Sequence, residues 1–100
     1  MALVPLTGVG AAGQFSLTAL STLATIVGTI PANANYLWIE TSVQNTRYTV
    51  SGTAPTAAQG LRLIAGQPNA GVWLTRAQFT TFQAIAESAG AVLQWQFYKT

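Results

Sequence analysis

The chain contains no cysteine, no histidine and no aspartate, and its only acidic residues are Glu40 and Glu87. Each absence removes a class of chemistry. Zinc, copper, haem and iron–sulfur sites lose their usual ligands, and two carboxylates are too few for a calcium cage, so neither metal nor cofactor is expected. Ser-His-Asp and Cys-His catalysis is unavailable, as is a disulfide framework. A serine activated by Lys99, the single lysine, would be the remaining nucleophilic arrangement, but Lys99 reads as a solubilising residue near the end of a strand. Charge of either sign is scarce, at 6% of residues against about 25% in an ordinary soluble domain. The surface must therefore be covered by neutral polar groups or by another protein.

The four cations, Arg47, Arg62, Arg76 and Lys99, are scattered along the chain and give a net charge of +2. A nucleic-acid footprint needs clustered Lys and Arg to neutralise several phosphates, so no nucleic-acid partner is expected. The first basic residue is Arg47, which leaves no basic n-region for a secretory signal. The apolar stretch from Leu17 to Thr29 is broken by Ser21, Thr22 and Thr25 and is shorter than the roughly 20 residues of a membrane span. No membrane association is expected.

What is present is a chain of 100 residues, 50% of them hydrophobic, enough for one domain with a real core. Val, Ile, Thr and aromatics fill short runs punctuated by Gly, Pro and Asn, the mark of an all-β chain. The expected architecture is an antiparallel β-sandwich of about seven to eight short strands. Residues 1–14 read as a flexible N-terminal arm and residues 15–100 as the single β-sandwich domain. Within it, Phe15 to Leu20 alternates as a first strand, and Leu23 to Val27 offers a second. In Tyr36–Val43, Leu37, Ile39 and Val43 share the core parity while Tyr36, Trp38, Glu40 and Ser42 take the other. Gln44-Asn45 turns this strand into Arg47–Ser51, with Tyr48 and Val50 inward. Leu61 to Ala65 is a further strand, ending at Gly66 and Pro68. Thr75-Arg76-Ala77-Gln78 has the spacing of a capping box and predicts a short helical turn near residues 75–79. A strand from Phe82 to Glu87 follows, and Ser88-Ala89-Gly90 closes a hairpin onto Ala91–Tyr98, with Leu93, Trp95 and Phe97 inward.

Several motifs have a plainer reading beside the functional one. Gly8 to Gly13 spells G-x-G-x-x-G, but Pro5 lies before it, an alternating β run follows it, and no acid stands about 20 residues on, so it reads as a loop or arm rather than a dinucleotide cradle. Glu40 and Glu87 are the one possible glycosidase pair. Both sit at outward strand positions with no spacing that joins them, and no enzyme activity is expected. Tyr36 and Trp38 are more informative, because the core parity of their strand is already filled. If that face is exposed, these aromatics beside Glu40 form a partner-binding patch or a sugar-stacking platform. Trp73, at a loop exit after Gly71, and Arg76 nearby have the same ambiguity, and Arg47 beside Tyr48 is a thin basic-aromatic pairing. The candidate interface residues are Tyr36, Trp38, Glu40, Arg47, Trp73 and Arg76.

The run Asn45-Thr46-Arg47-Tyr48-Thr49-Val50-Ser51-Gly52-Thr53-Ala54-Pro55-Thr56-Ala57, followed by Gly60-Leu61-Arg62-Leu63 and Gly66-Gln67, resembles small virion structural proteins of tailed bacteriophages. There an Asn, Arg and aromatic strand enters a Gly-Thr-x-Pro-Thr-Ala turn, and the closing hairpin is similar to Phe82–Glu87 with Ala91–Lys99. The likeness spans residues 36–99. Ser51 replaces an acidic residue common before the glycine, and Leu74–Thr81 is an insertion. The resemblance implies a β-sandwich that works by assembly: a capsid cement or decoration protein binding the major capsid protein or other virion structural proteins, or else a tail, neck or fibre component or a receptor (carbohydrate) binding module. It also implies a homo-oligomer, a trimer foremost, made in the host cytoplasm and placed on the virion.

Overall fold

The computed structural model describes residues 5–100. Two four-stranded antiparallel sheets face each other, as the all-β sandwich reading requires. The first has the order β1 (Thr7–Leu17), β8 (Ala91–Lys99), β3 (Tyr36–Ser42), β6 (Gly71–Thr75). The second has the order β2 (Ser21–Thr22), β7 (Gln83–Ala86), β4 (Thr46–Thr49), β5 (Leu61–Leu63). Alternation decides what lies between them. Leu37 and Ile39 of β3, Leu93 and Phe97 of β8 and Leu74 of β6 meet Tyr48, Ala84, Ala86 and Leu63 of the facing sheet, all buried. Trp95, on the same parity of β8, packs partly buried against this core.

One polar pair lies within it. Thr41 and Thr46 are 2% and 0% exposed, with their hydroxyls 2.9 Å apart. Thr41 Oγ1 donates to the Gln44 carbonyl at 2.8 Å, so the proton between the two hydroxyls comes from Thr46. This ties the β3–β4 hairpin from inside. Its tip corrects one expectation: Val43, read as inward with Leu37 and Ile39, lies past the end of the strand, has φ of 73° and is 72% exposed, with Gln44 N–H donating to the Ser42 carbonyl across it at 2.9 Å. That is a γ-turn, a strained place for a β-branched residue.

Two helical turns close the sandwich. In α2 (Arg76–Phe79), the Gln78 side chain accepts the Thr75 N–H at 2.9 Å, the back half of the expected capping box. Phe79 is thereby driven into the core, edge-on to Phe97 with ring centroids 5.4 Å apart.

Four further expectations need correction. Leu23 to Val27 is the helical turn α1, not a strand: Thr22 caps it by accepting the Thr25 N–H at 3.4 Å, and Leu23 and Ile26, three apart on one face, are buried. Burial at helical spacing prevailed over the β propensity of Thr, Ile and Val. The segment read as a free arm over residues 1–14 is strand from Thr7 onward, paired with β8 along its length with a bulge between Val9 and Gly13. Backbone pairing needs no side-chain signal, so its glycines and alanines gave none. Residues 1–4 of that arm lie outside the described residues. The strand at Phe15 ends at Leu17, short of the expected Leu20. Trp73, read as lying at a loop exit after Gly71, is in the edge strand β6 (Gly71–Thr75).

Candidate functional site

The outer face of the first sheet carries the aromatic residues left over by core parity. Trp38 lies opposite Trp73 in the β3–β6 register, and Tyr36 opposite Tyr98 in the β3–β8 register. Trp73 is the hub, with ring centroids 5.2 Å from both Trp38 and Tyr98, tilted on the first and edge-on to the second. At 49% exposure it is the most accessible tryptophan-sized apolar surface on the molecule's described residues. Such aromatic clusters favour tilted contacts, in which the positive edge of one ring meets the negative face of the next.

The position of the Trp38 indole is set by a missing side chain. A Cβ on Gly71 would lie 2.8 Å from Trp38 Cη2 and 3.0 Å from Glu40 Cβ, so only glycine lets the ring lie across β6. In that pose Trp38 Nε1 donates to Glu40 Oε1 at 3.2 Å. Beside this pair, where β1 resumes pairing after its bulge, lies a groove of ≈ 330 Å³ lined by Ala12 to Gln14 and by Trp38 and Glu40. Its floor is Gln94 to Gln96 of β8. Gln94 Nε2 is directed at Gln14 Oε1 at 3.5 Å. Gln96 Nε2 is spent on the carbonyls of Val9, Gly10 and Phe97, at 3.3, 3.1 and 3.1 Å, and fastens the bulge.

Of the six candidate interface residues, Tyr36, Trp38, Glu40 and Trp73 come together on this face. The other two do not. Arg47 lies on the outer face of the second sheet with Arg62 and Glu87. Arg62 grips Glu87 with a two-pronged fork, Nε to Oε2 at 2.7 Å and Nη2 to Oε1 at 2.9 Å. Arg47 Nε lies 2.8 Å from Glu87 Oε2, but its N–H is aimed at no acceptor, so this contact is Coulombic, and its Nη1 donates to the Gly60 carbonyl at 3.0 Å. The Arg62 hydrogen bonds, with help from Asn45 and the charges of both arginines, hold the Glu87 carboxyl below its ordinary range, against a smaller opposing effect of desolvation. Arg76 is a clip. It donates through Nη1 to the Ala34 carbonyl at 2.7 Å and the Pro31 carbonyl at 3.3 Å, and its guanidinium lies over the Phe79 ring at 5.6 Å.

Glu40 and Glu87 are on the outer faces of different sheets, and their surroundings give no paired carboxylates for glycosidic chemistry. Sequence reasoning missed Tyr98, Gln94 and Gln14. The first two were legible, since they share the outward parity of β8; Gln14 was hidden by reading its strand as an arm. No protein-family model, no curated protein and no solved structure matches the chain.

Proposed function

We propose that the protein is a non-enzymatic structural protein of a tailed-bacteriophage particle, a cement protein that binds and stabilises the shell of the major capsid protein. The outer face of the first sheet carries this reading: an aromatic row of Trp38, Trp73, Tyr98 and Tyr36 among Gln, Ser and Thr, with Glu40 its one charge. Tryptophan and tyrosine dominate binding hot spots, and bare patches of this kind are rare on free monomers. The edge strand β6 is free of charge and of proline, two of the usual guards against strand addition, and β1 has only its bulge as a guard. The turn and hairpin motifs of residues 36–99 support the same assignment by resemblance.

Size explains why many copies act together. Four strands, the central one seven residues long, at about 4.8 Å spacing and about 3.3 Å per residue make a plate of roughly 450 Å². A standard interface takes about 800 Å² from each partner. One plate therefore holds weakly, and homo-oligomerisation with repetition over a shell supplies the rest.

The test is addition to particles that lack the protein. Expected is a bound copy number near that of the shell protein, with Trp73→Ala lowering attachment by about 30-fold, a hot-spot loss near 2 kcal/mol. A bound number of a few per particle overturns the cement reading and moves the protein to the tail or neck. The aromatic row beside a groove also favours a carbohydrate-binding role, for which a glycan array with Trp38→Ala as control is the direct measurement.

A further inference from the structure

Of the two glutamates, Glu40 is the one whose side chain has no cation partner. Glu87 has both Arg47 and Arg62, Arg76 is held by the Pro31 and Ala34 carbonyls, and Lys99 shares the opposite strand parity, beyond Phe97. Glu40 is half-buried, and its side chain has a single hydrogen bond, from Trp38 Nε1. A half-buried carboxylate with no counter-charge is an open acceptor for a cationic hydrogen-bond donor.

We propose that the groove between the β1 bulge and Trp38 receives an arginine side chain of the partner, its guanidinium laid against the indole and its N–H fork on Glu40. The assignment deepens the assembly reading above and rests on it for the partner being a protein. Three features favour this ligand. The groove's one charge is a carboxylate, Glu40, and Gln96 on its floor has its amide N–H groups spent on backbone carbonyls. A guanidinium brings a positive charge and five donors that match a carboxylate fork to fork, whereas a neutral sugar would leave the Glu40 charge without a counter-charge. The Trp38 face adds cation–π attraction, strongest for tryptophan. A groove of ≈ 330 Å³ is ample for one such side chain. The chain's own arginines all have intramolecular acceptors, so the entering one belongs to a different protein, not to a second copy.

The direct experiment follows the three tryptophan indole N–H resonances of the ¹⁵N-labelled protein, with Trp38→Phe to assign Trp38. N-acetylarginine methylamide is titrated to about 100 mM, a range that reaches contacts of a single side chain. Expected is a saturating shift of the Trp38 resonance, weaker with the lysine analogue and absent with methyl glucoside. Glu40→Gln, which preserves shape, should weaken it by at least about 10-fold, and Glu87→Gln should leave it unchanged. No arginine-dependent shift, an undiminished shift in Glu40→Gln, or a stronger response to methyl glucoside overturns the proposal. Particle addition separates the two readings. Wild-type attachment that Glu40→Gln does not weaken sinks the arginine contact alone, and failure of wild-type attachment with the indole response intact sinks the assembly reading alone.

Discussion

Gly13 is where a single added methyl group tests the packing most directly. It pairs with Trp95 across β1 and β8, and a Cβ built on it would come within 2.8 Å of three ring atoms, Cζ2, Cε2 and Cη2. Ordinary carbon contacts lie at about 3.5–4.0 Å, so the overlap is at least roughly 0.7 Å. Three atoms of a rigid ring cannot yield that distance by small adjustments. Trp95 is packed against the core and lies beside Ile39 on the next strand, so either the ring swings toward the groove or β1 parts from β8. Overpacking of this kind costs about 1–3 kcal/mol, and a loss near 2 kcal/mol lowers Tm by about 8–16 °C in a domain of this size. Thermal and urea unfolding of Gly13→Ala measure it. The backbone of Gly13 is outside the positive-φ region, so alanine is otherwise acceptable there. In a Trp95→Leu background the clash is gone, and the same substitution should become neutral or stabilising by up to about 1 kcal/mol through the lower chain entropy of alanine. Equal costs of Gly13→Ala in both backgrounds would refute the reasoning.

Other substitutions follow from the same geometry. Thr41→Val strands both the Gln44 carbonyl and the Thr46 hydroxyl, and should cost about 2–3 kcal/mol in urea unfolding, whereas Thr46→Val leaves Thr41 bonded to Gln44 and should cost about 1 kcal/mol. Val43→Gly should raise stability by about 1 kcal/mol, because it relieves a positive φ on an exposed β-branched residue. The lowered Glu87 carboxyl stabilises the fold above the ordinary carboxylate range and loses that contribution as pH falls through its folded value. The small stability gap between wild type and Glu87→Gln should therefore be constant near neutrality and close below about pH 4. Burial raises the Tyr48 phenol above its ordinary value, so wild-type stability should fall as pH rises past about 10, and Tyr48→Phe should lose that alkaline limb in a pH series of urea midpoints.

Much of the fold was legible from parity. The inward residues Leu37 and Ile39 of β3, those of β7 and β8, and the capping box of α2 are local patterns, and each is where its spacing places it; Val43 is the exception, because the chain turns at it before the parity can be used. The failures share a cause. Thr7–Leu17 is a strand because β8 offers it a partner, and Gly71–Thr75 because β3 does, and no feature of either segment's composition announces that partner. The candidate site divides the same way: Tyr36, Trp38 and Glu40 lie on one strand and one parity, while Arg47 and Arg76 were grouped with them by residue type and are turned to other tasks.

The amino-acid sequence alone determined the chemistry that is excluded, the β character, and which side of each alternating strand would face inward, because these depend on residue type and on a period of two. Tertiary structure decided that Trp73 and Tyr98 would join Trp38, that a groove would lie beside Glu40, and that Gly71 and Gly13 would make room for indole rings. Those outcomes depend on which strands lie side by side and in what register, and that is fixed by burying a common core between residues far apart in the chain.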